Sequence, residues 1–252
     1  MKKYLIVIII AFALSGSANA QFTNIGFRVG AGLSTLTDDL TEKTPISSIS
    51  GGIYTTYEFN KVHSLISEVF YVQLGVNFVR RGGKYEEVFN LGSNLSSQHT
   101  GSIDAWYVQV PLLANLRLEL PLKKRKHYAR AFFGPAVSIG VLGKYNEQKV
   151  TPYQDSRKIN FKIAGEGAFD YLNRIDAELI AGLGYEHKNI TISIYVDHGF
   201  LSVMDEPDIL RTLESGNPDE PVMHAGSSLS AYMISFSYRI PIGSNTDPRA
   251  VK

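Results

Sequence analysis

Between Asp104 and Leu120 the chain alternates strictly on one parity: Trp106, Val108, Val110, Leu112, Ala114, Leu116, Leu118 and Leu120. The intervening positions are Tyr107, Gln109, Pro111, Leu113, Asn115, Arg117 and Glu119, polar or charged with two exceptions. Successive strand side chains point to opposite faces, so this segment is a strand with one apolar face and one face bearing an Arg and a Glu. It is far longer than the ~5–6 residues of an ordinary globular strand. It also exceeds the ~9–11 tilted residues that cross a bilayer.

Seven further segments resemble it. Residues 24–34 set Ile25, Phe27, Val29, Ala31 and Leu33 against Asn24, Arg28, three glycines and Ser34, and residues 49–59 set Ile49, Ile53, Tyr57 and Phe59 against Ser50, Gly52, Tyr54 and Glu58. Residues 64–78 are apolar on both parities, so periodicity leaves their facing open. The segment 104–120 is the fourth. The fifth, 128–142, opposes Ala129, Ala131, Phe133, Val137 and Ile139 to Arg130, Gly134, Ser138 and Gly140. The sixth, 174–186, opposes Ile175, Leu179, Leu183 and Tyr185 to Arg174, Asp176, Glu178 and Glu186. The seventh, 189–199, opposes Ile190, Ile192, Ile194 and Val196 to Thr191, Ser193, Tyr195 and Asp197, and the eighth, 230–240, opposes Tyr232, Ile234, Phe236, Tyr238 and Ile240 to Ala231, Met233, Ser235, Ser237 and Arg239.

The connections alternate in length. Short ones fall around Asn60-Lys61-Val62, at Pro121–His127 and at His187-Lys188; long ones fall at 35–48, 79–103, 143–173 and 200–229. Even strand number, short turns at one end and long loops at the other are the plan of bacterial outer-membrane barrels. The expectation is an all-β fold: an eight-stranded antiparallel up-and-down transmembrane barrel with short periplasmic turns and long extracellular loops. Two β-like pieces in the third long loop, 144–151 and 158–164, either extend the fifth and sixth strands or form a further hairpin, giving ten strands.

Alternation alone also fits a soluble barrel, whose apolar set would face inward. The non-apolar set decides against it. Gly, Ala and Ser mix there with Arg28, Glu58, Arg117, Glu119, Arg130, Arg174, Asp176, Glu178, Asp197 and Arg239, the content of a narrow, ion-paired lumen. Aromatics (Tyr57, Phe59, Trp106, Tyr185, Tyr232, Tyr238) sit near the ends of apolar faces, where interfacial girdles belong. An eight-stranded barrel is filled by its own side chains, which argues against an open diffusion pore.

Three segments are expected. Residues 1–20 read as a signal peptide: Lys2-Lys3, an apolar run from Leu5 to Leu14, and Ser17-Ala18-Asn19-Ala20 as a cleavage pattern after Ala20. Residues 21–242 read as the barrel and 243–252 as a polar tail. With no cysteine there is neither a disulfide nor an N-terminal lipid anchor. With 25 basic and 24 acidic residues nothing points to nucleic acid.

Several runs, in order, resemble the Bacteroidota outer-membrane β-barrel family often called PorT-like. They are Ile25 to Leu36 at the first strand, Ser67-Glu68-Val69-Phe70-Tyr71, Tyr107-Val108-Gln109-Val110-Pro111-Leu112-Leu113, Phe133-Gly134-Pro135, and Asp176 through Gly182-Leu183-Gly184-Tyr185. The resemblance covers most of the chain after residue 20. It implies the barrel fold, the outer membrane and, for some members, a tie to protein secretion. Such proteins tend to end on an aromatic last strand, whereas here a polar tail follows Tyr238.

No catalytic, cofactor or metal site is expected. Asp197 and His198 are adjacent on a strand and point apart, so they form no dyad. His63, His99, His127, His187, His198 and His224 lack metal-ligand spacing. Arg117 with Glu119, and Arg174 with Asp176 and Glu178, read as lumen ion pairs rather than acid–base machinery. The acidic run Asp205-Glu206-Pro207-Asp208, with Asp219-Glu220, lacks a calcium-loop spacing. The functional expectation is a non-enzymatic outer-membrane barrel, with outer-membrane lipid and envelope or secretion-system proteins as partners. The alternatives are an outer-membrane enzyme recruiting His99, His224 or Asp205, and a soluble periplasmic ligand-binding barrel.

Overall fold

The computed structural model describes residues 21–37, 42–58, 69–90, 96–121, 126–150, 158–165, 174–201 and 228–241. The expected signal peptide, the expected tail, His63, His224 and the acidic runs at 205–208 and 219–220 lie outside these residues. The elements are β1 (Gln21–Thr37), β2 (Glu42–Thr44), β3 (Ile46–Glu58), β4 (Phe70–Asn90), β5 (Ser96–Leu120), β6 (His127–Val150), β7 (Lys158–Gly165), β8 (Ile175–His187), β9 (Ile190–Gly199) and β10 (Ser228–Pro241).

Eight of these close a ring in which β1 pairs β3 and β10, β4 pairs β3 and β5, β6 pairs β5 and β8, and β9 pairs β8 and β10, all antiparallel. Closure leaves no sheet edge at membrane depth, so the backbone of every strand in the ring is paired within the protein. The two remaining strands do not enlarge the ring. β2 continues β3 along β4. β7 lies on the outer part of β6, beyond the stretch that β8 occupies, so the pieces at 144–151 and 158–164 extend the fifth and sixth staves.

The register fixes the stagger. Cross-strand partners run Leu33, Tyr232, Val196, Ala181, Phe133, Ala114, Val72, Tyr57, Phe22. One circuit thus returns to β1 eleven residues lower, or ten once the bulge between Phe22 and Asn24 is discounted. With ~3.3 Å of rise per residue and ~4.8 Å between strands, that stagger over eight strands tilts them by about 40°.

The facing is inside-out relative to a soluble protein. Phe133 (64% exposed), Ile234 (62%), Leu183 (61%) and Val29 (59%) look outward, while among the described residues buried polar and charged side chains outnumber buried apolar ones. A soluble barrel would bury this apolar set. The third strand, unreadable by periodicity, also resolves: Tyr71, Gln73, Asn77 and Arg81 point inward, and Val76 and Phe78 outward. Its described part runs from Phe70, and Ser64 to Glu68 lie outside the described residues.

The two ends differ. At the end where β1 begins and β10 ends the strands stop at the rim of the apolar band, marked by Tyr57, Tyr185 and Tyr238, and β8 turns into β9 through Lys188 and Asn189. Lys188 sits at φ 54°, the left-handed conformation a two-residue hairpin turn requires. At the other end Phe78 and Trp106 stack at 5.0 Å, and β4, β5 and β6 run on well past them. The long excursion 79–103 is therefore mostly paired strand. By the barrel rule the turn end is periplasmic and the projecting ribbon extracellular.

Candidate functional site

The lumen is the candidate site, and the order of inward residues along each strand divides it into layers. Nearest the turn end lie Arg28, Arg117, Arg130 and Arg239, with Glu186 among them. Arg239 and Arg117 both pair with Glu186, the latter at 3.4 Å. Arg130 donates to Asn115 Oδ1 and Gln73 Oε1, both at 2.7 Å, and Arg28 donates to the same Gln73 oxygen at 3.2 Å. Aromatic faces complete the layer: Arg117 lies 4.7 Å from the Tyr128 centroid, Arg130 4.8 Å from Phe132 and Arg28 5.4 Å from Tyr54. Guanidinium is planar and weakly hydrated, so it can be buried against rings where an ammonium would not.

Above this comes an apolar belt of Leu113, Phe132, Ala136, Ile180, Tyr195, Ala231 and Met233. The next layer is acidic and centred on Arg81, which is 0% exposed. Arg81 is hydrogen-bonded to Glu178, lies 3.7 Å from Asp176 and 3.9 Å from Asp197, and donates to Ser138 Oγ at 2.9 Å. Its far side meets Tyr107, 4.8 Å from the ring centroid. Gln109 ties two of the carboxylates together: its amide nitrogen donates to Glu178 and, at 2.7 Å, to Asp197, while its oxygen accepts from Asn77 at 3.1 Å. Leu36, Ile103, Leu229, Tyr85 and Tyr145 close the outer end, the two tyrosine hydroxyls 3.1 Å apart.

The expected lumen residues Arg28, Arg130, Asp176, Glu178, Asp197 and Arg239 are buried inside, and Arg117 is half-buried there. Their partners differ from those expected. Arg117 pairs across the lumen with Glu186, and Glu119 is exposed at the rim. Arg174 is exposed outside β8, and Arg81 from β4 serves Asp176 and Glu178 instead. Residues i and i+2 share a face but stay ~7 Å apart along a strand, whereas a long guanidinium crosses a narrow lumen readily. Sequence reading missed Arg81 because it places residues 79–103 in a long loop, whereas β4 runs on through Arg81 to Asn90. Asp197 faces the lumen, and His198 bonds Ser230 Oγ at 2.7 Å, so the pair makes no dyad.

Chemically, the layers do not assemble a nucleophile with a base. Asp176, Glu178 and Asp197 are locked onto a guanidinium and an amide, and the described residues contain no group of three or more metal-ligating side chains. What the arrangement does is fill and brace a narrow tube.

The outer membrane protein beta-barrel domain family matches residues 18–205. Among solved structures the chain is similar to Ail, the attachment invasion locus protein of Yersinia pestis, at 12% identity over 87% of this chain and 100% of that one, TM-score 0.35. It is similar to OprG of Pseudomonas aeruginosa at 10% identity over 87% and 97%, TM-score 0.37, and to Neisserial surface protein A at 8% over 86% and 97%, TM-score 0.36. No curated protein matches the sequence. At these scores the structural likenesses carry no weight of their own, and the barrel rests on its register and its outward apolar face. With most of its length matched, the chain belongs to the outer membrane protein beta-barrel domain family.

Proposed function

We propose that this barrel is a non-conducting, non-enzymatic anchor that presents its extracellular ribbon to a partner outside the cell. One observation carries the reading: the lumen is filled by the Arg81 cluster and the Tyr85–Tyr145 cap, while β4, β5 and β6 continue beyond the apolar band. A tube filled this way offers no path for solutes, so the strand length spent outside the membrane serves contact. Photo-crosslinkers placed at Thr44 on the ribbon and at Asn189 in a periplasmic turn test it in intact cells. Adducts at Thr44 are expected; adducts confined to Asn189 overturn the extracellular reading.

That second outcome favours a secretion-associated envelope role. This role is supported by the ordered runs that resemble the PorT-like family, such as Tyr107 to Leu113 and Asp176 to Tyr185. Turnover of lipids or peptides by the purified barrel, abolished by His224→Ala, overturns the non-enzymatic reading.

A further inference from the structure

In the turn-end layer of the lumen, buried positive charge outruns the carboxylate set against it. Glu186 Oε1 serves both Arg239 and Arg117. Arg28 and Arg130, only 4% and 3% exposed, form no ion pair among the described residues. Their nitrogens bond neutral oxygens instead. Arg28 donates to Ser237 Oγ and Gln73 Oε1, and Arg130 donates to Asn115 Oδ1 and the same Gln73 oxygen. That shared acceptor holds nitrogens of the two cations within about 6 Å of each other. The ring faces of Tyr54, Tyr71 and Phe132 offset only part of what burying two like charges costs. Beside them lies the buried Tyr54 hydroxyl, on which Arg28, Arg130 and Arg239 all act electrostatically. Among the described residues neither this hydroxyl nor Arg239 Nε has a hydrogen-bond partner.

We propose that Arg28, Arg130, Arg239 and the Tyr54 hydroxyl bind a small tetrahedral oxyanion that enters the lumen from the periplasm. Guanidinium forks and a phenol are donors matched to oxygen acceptors, and their bonds to a charged oxygen are stronger than those to the neutral Gln73 amide. A dianion also offsets the repulsion between Arg28 and Arg130. Burial sets the route. The Arg117 and Arg239 side chains keep 16% and 8% of their surface exposed at the turn end, whereas the belt of Leu113, Ile180, Tyr195 and Met233 covers the layer on the other side. Asp176, Glu178 and Asp197 lie beyond that belt around Arg81, so they do not compete for these donors.

The test uses the full barrel, residues 21–252, refolded in neutral detergent and phosphate-free buffer. Inorganic phosphate is titrated in by calorimetry at neutral pH, with ionic strength held constant by sodium chloride. Wild type is expected to bind one phosphate per barrel, saturably and without displacement by chloride. Arg28→Gln and Tyr54→Phe each remove one donor to a charged acceptor, so each is expected to weaken binding about tenfold. The Tyr54 hydroxyl bonds nothing in the protein, so Tyr54→Phe should leave the phosphate-free denaturation midpoint where it was. That variant carries the test even where Arg28→Gln fails to fold. Arg80→Gln removes a cation from the outer wall and serves as the charge-matched control, with binding unchanged. Absence of saturable phosphate binding, equal binding of chloride, or a loss in Arg80→Gln as large as that in the lumen variants overturns the site. Unchanged affinity in either folded lumen variant does so too.

Discussion

Replacing Arg81 by methionine keeps the length of the side chain but leaves Asp176, Glu178 and Asp197 facing one another without a cation. Removing one partner of a buried ion cluster costs about 3–5 kcal/mol. Denaturant titration of the micelle-bound barrel should show a loss of that size. The neighbouring Arg80 is a control one residue away. It points outward and pairs with Asp104 through two 2.8 Å bonds, with both side chains more than a quarter exposed. A pair so exposed is worth at most ~1 kcal/mol, so Arg80→Gln should hardly move the midpoint. Equal effects of the two substitutions would contradict the assigned facing. The contrast also marks how far the sequence could be read at this scale. Parity alone places Asp176, Glu178 and Asp197 inside, because their strands alternate cleanly. It does not reach Arg80 and Arg81, which it leaves in the connection 79–103; the pairing of β4 with β5 carries the strand through them and sets their facing.

Several cross-strand pairs set a tyrosine beside a glycine on the inner wall, among them Tyr54 with Gly26, Tyr85 with Gly101 and Tyr195 with Gly182. A Cβ on Gly26 would come within 2.2 Å of the Tyr54 ring, and one on Gly101 equally close to that of Tyr85. These glycines give the rings room to lie flat across the neighbouring strand, which keeps a filled lumen from being overfilled. Gly26→Val should cost about 1–3 kcal/mol by overpacking, read by the same titration. The outer face makes a second demand on the strands. Ile194 of β9 pairs between Leu183 and Ile234 at mid-height, whereas Ile190 ends the strand at the rim. Arg in place of a lipid-facing residue costs about 2–4 kcal/mol at mid-bilayer and about 0–1 near the interface. Ile194→Arg should therefore be much the worse of the two in lipid bilayers; equal effects would mean that water, not lipid, bathes this face. Strand identity was legible from alternation, and so was facing except in the third strand. Strand length was not, because Val79 to Ile103 alternates too weakly to distinguish a projecting hairpin from a loop, and its pairing is set by β2 and β6 on either side.

For the molecule as a whole, eight strands at a stagger of ten enclose a lumen lined by layers of buried charged, polar and apolar side chains, and a ring this narrow is filled by its own side chains. Reconstituted in planar bilayers, the barrel should show no steady conductance, and a wild-type ohmic channel would refute the filled lumen. Arg81 belongs to β4, and its carboxylate partners belong to β8 and β9 on the opposite side of the ring. That placement bears on how the barrel is made. While β1 and β10 are still unjoined, the sheet holds the guanidinium and its three carboxylates apart, each needing water. Sealing the seam brings them together, so closure and charge neutralisation happen in one step. A half-wound sheet released into lipid would carry bare charges, which makes early release from the insertion machinery self-defeating.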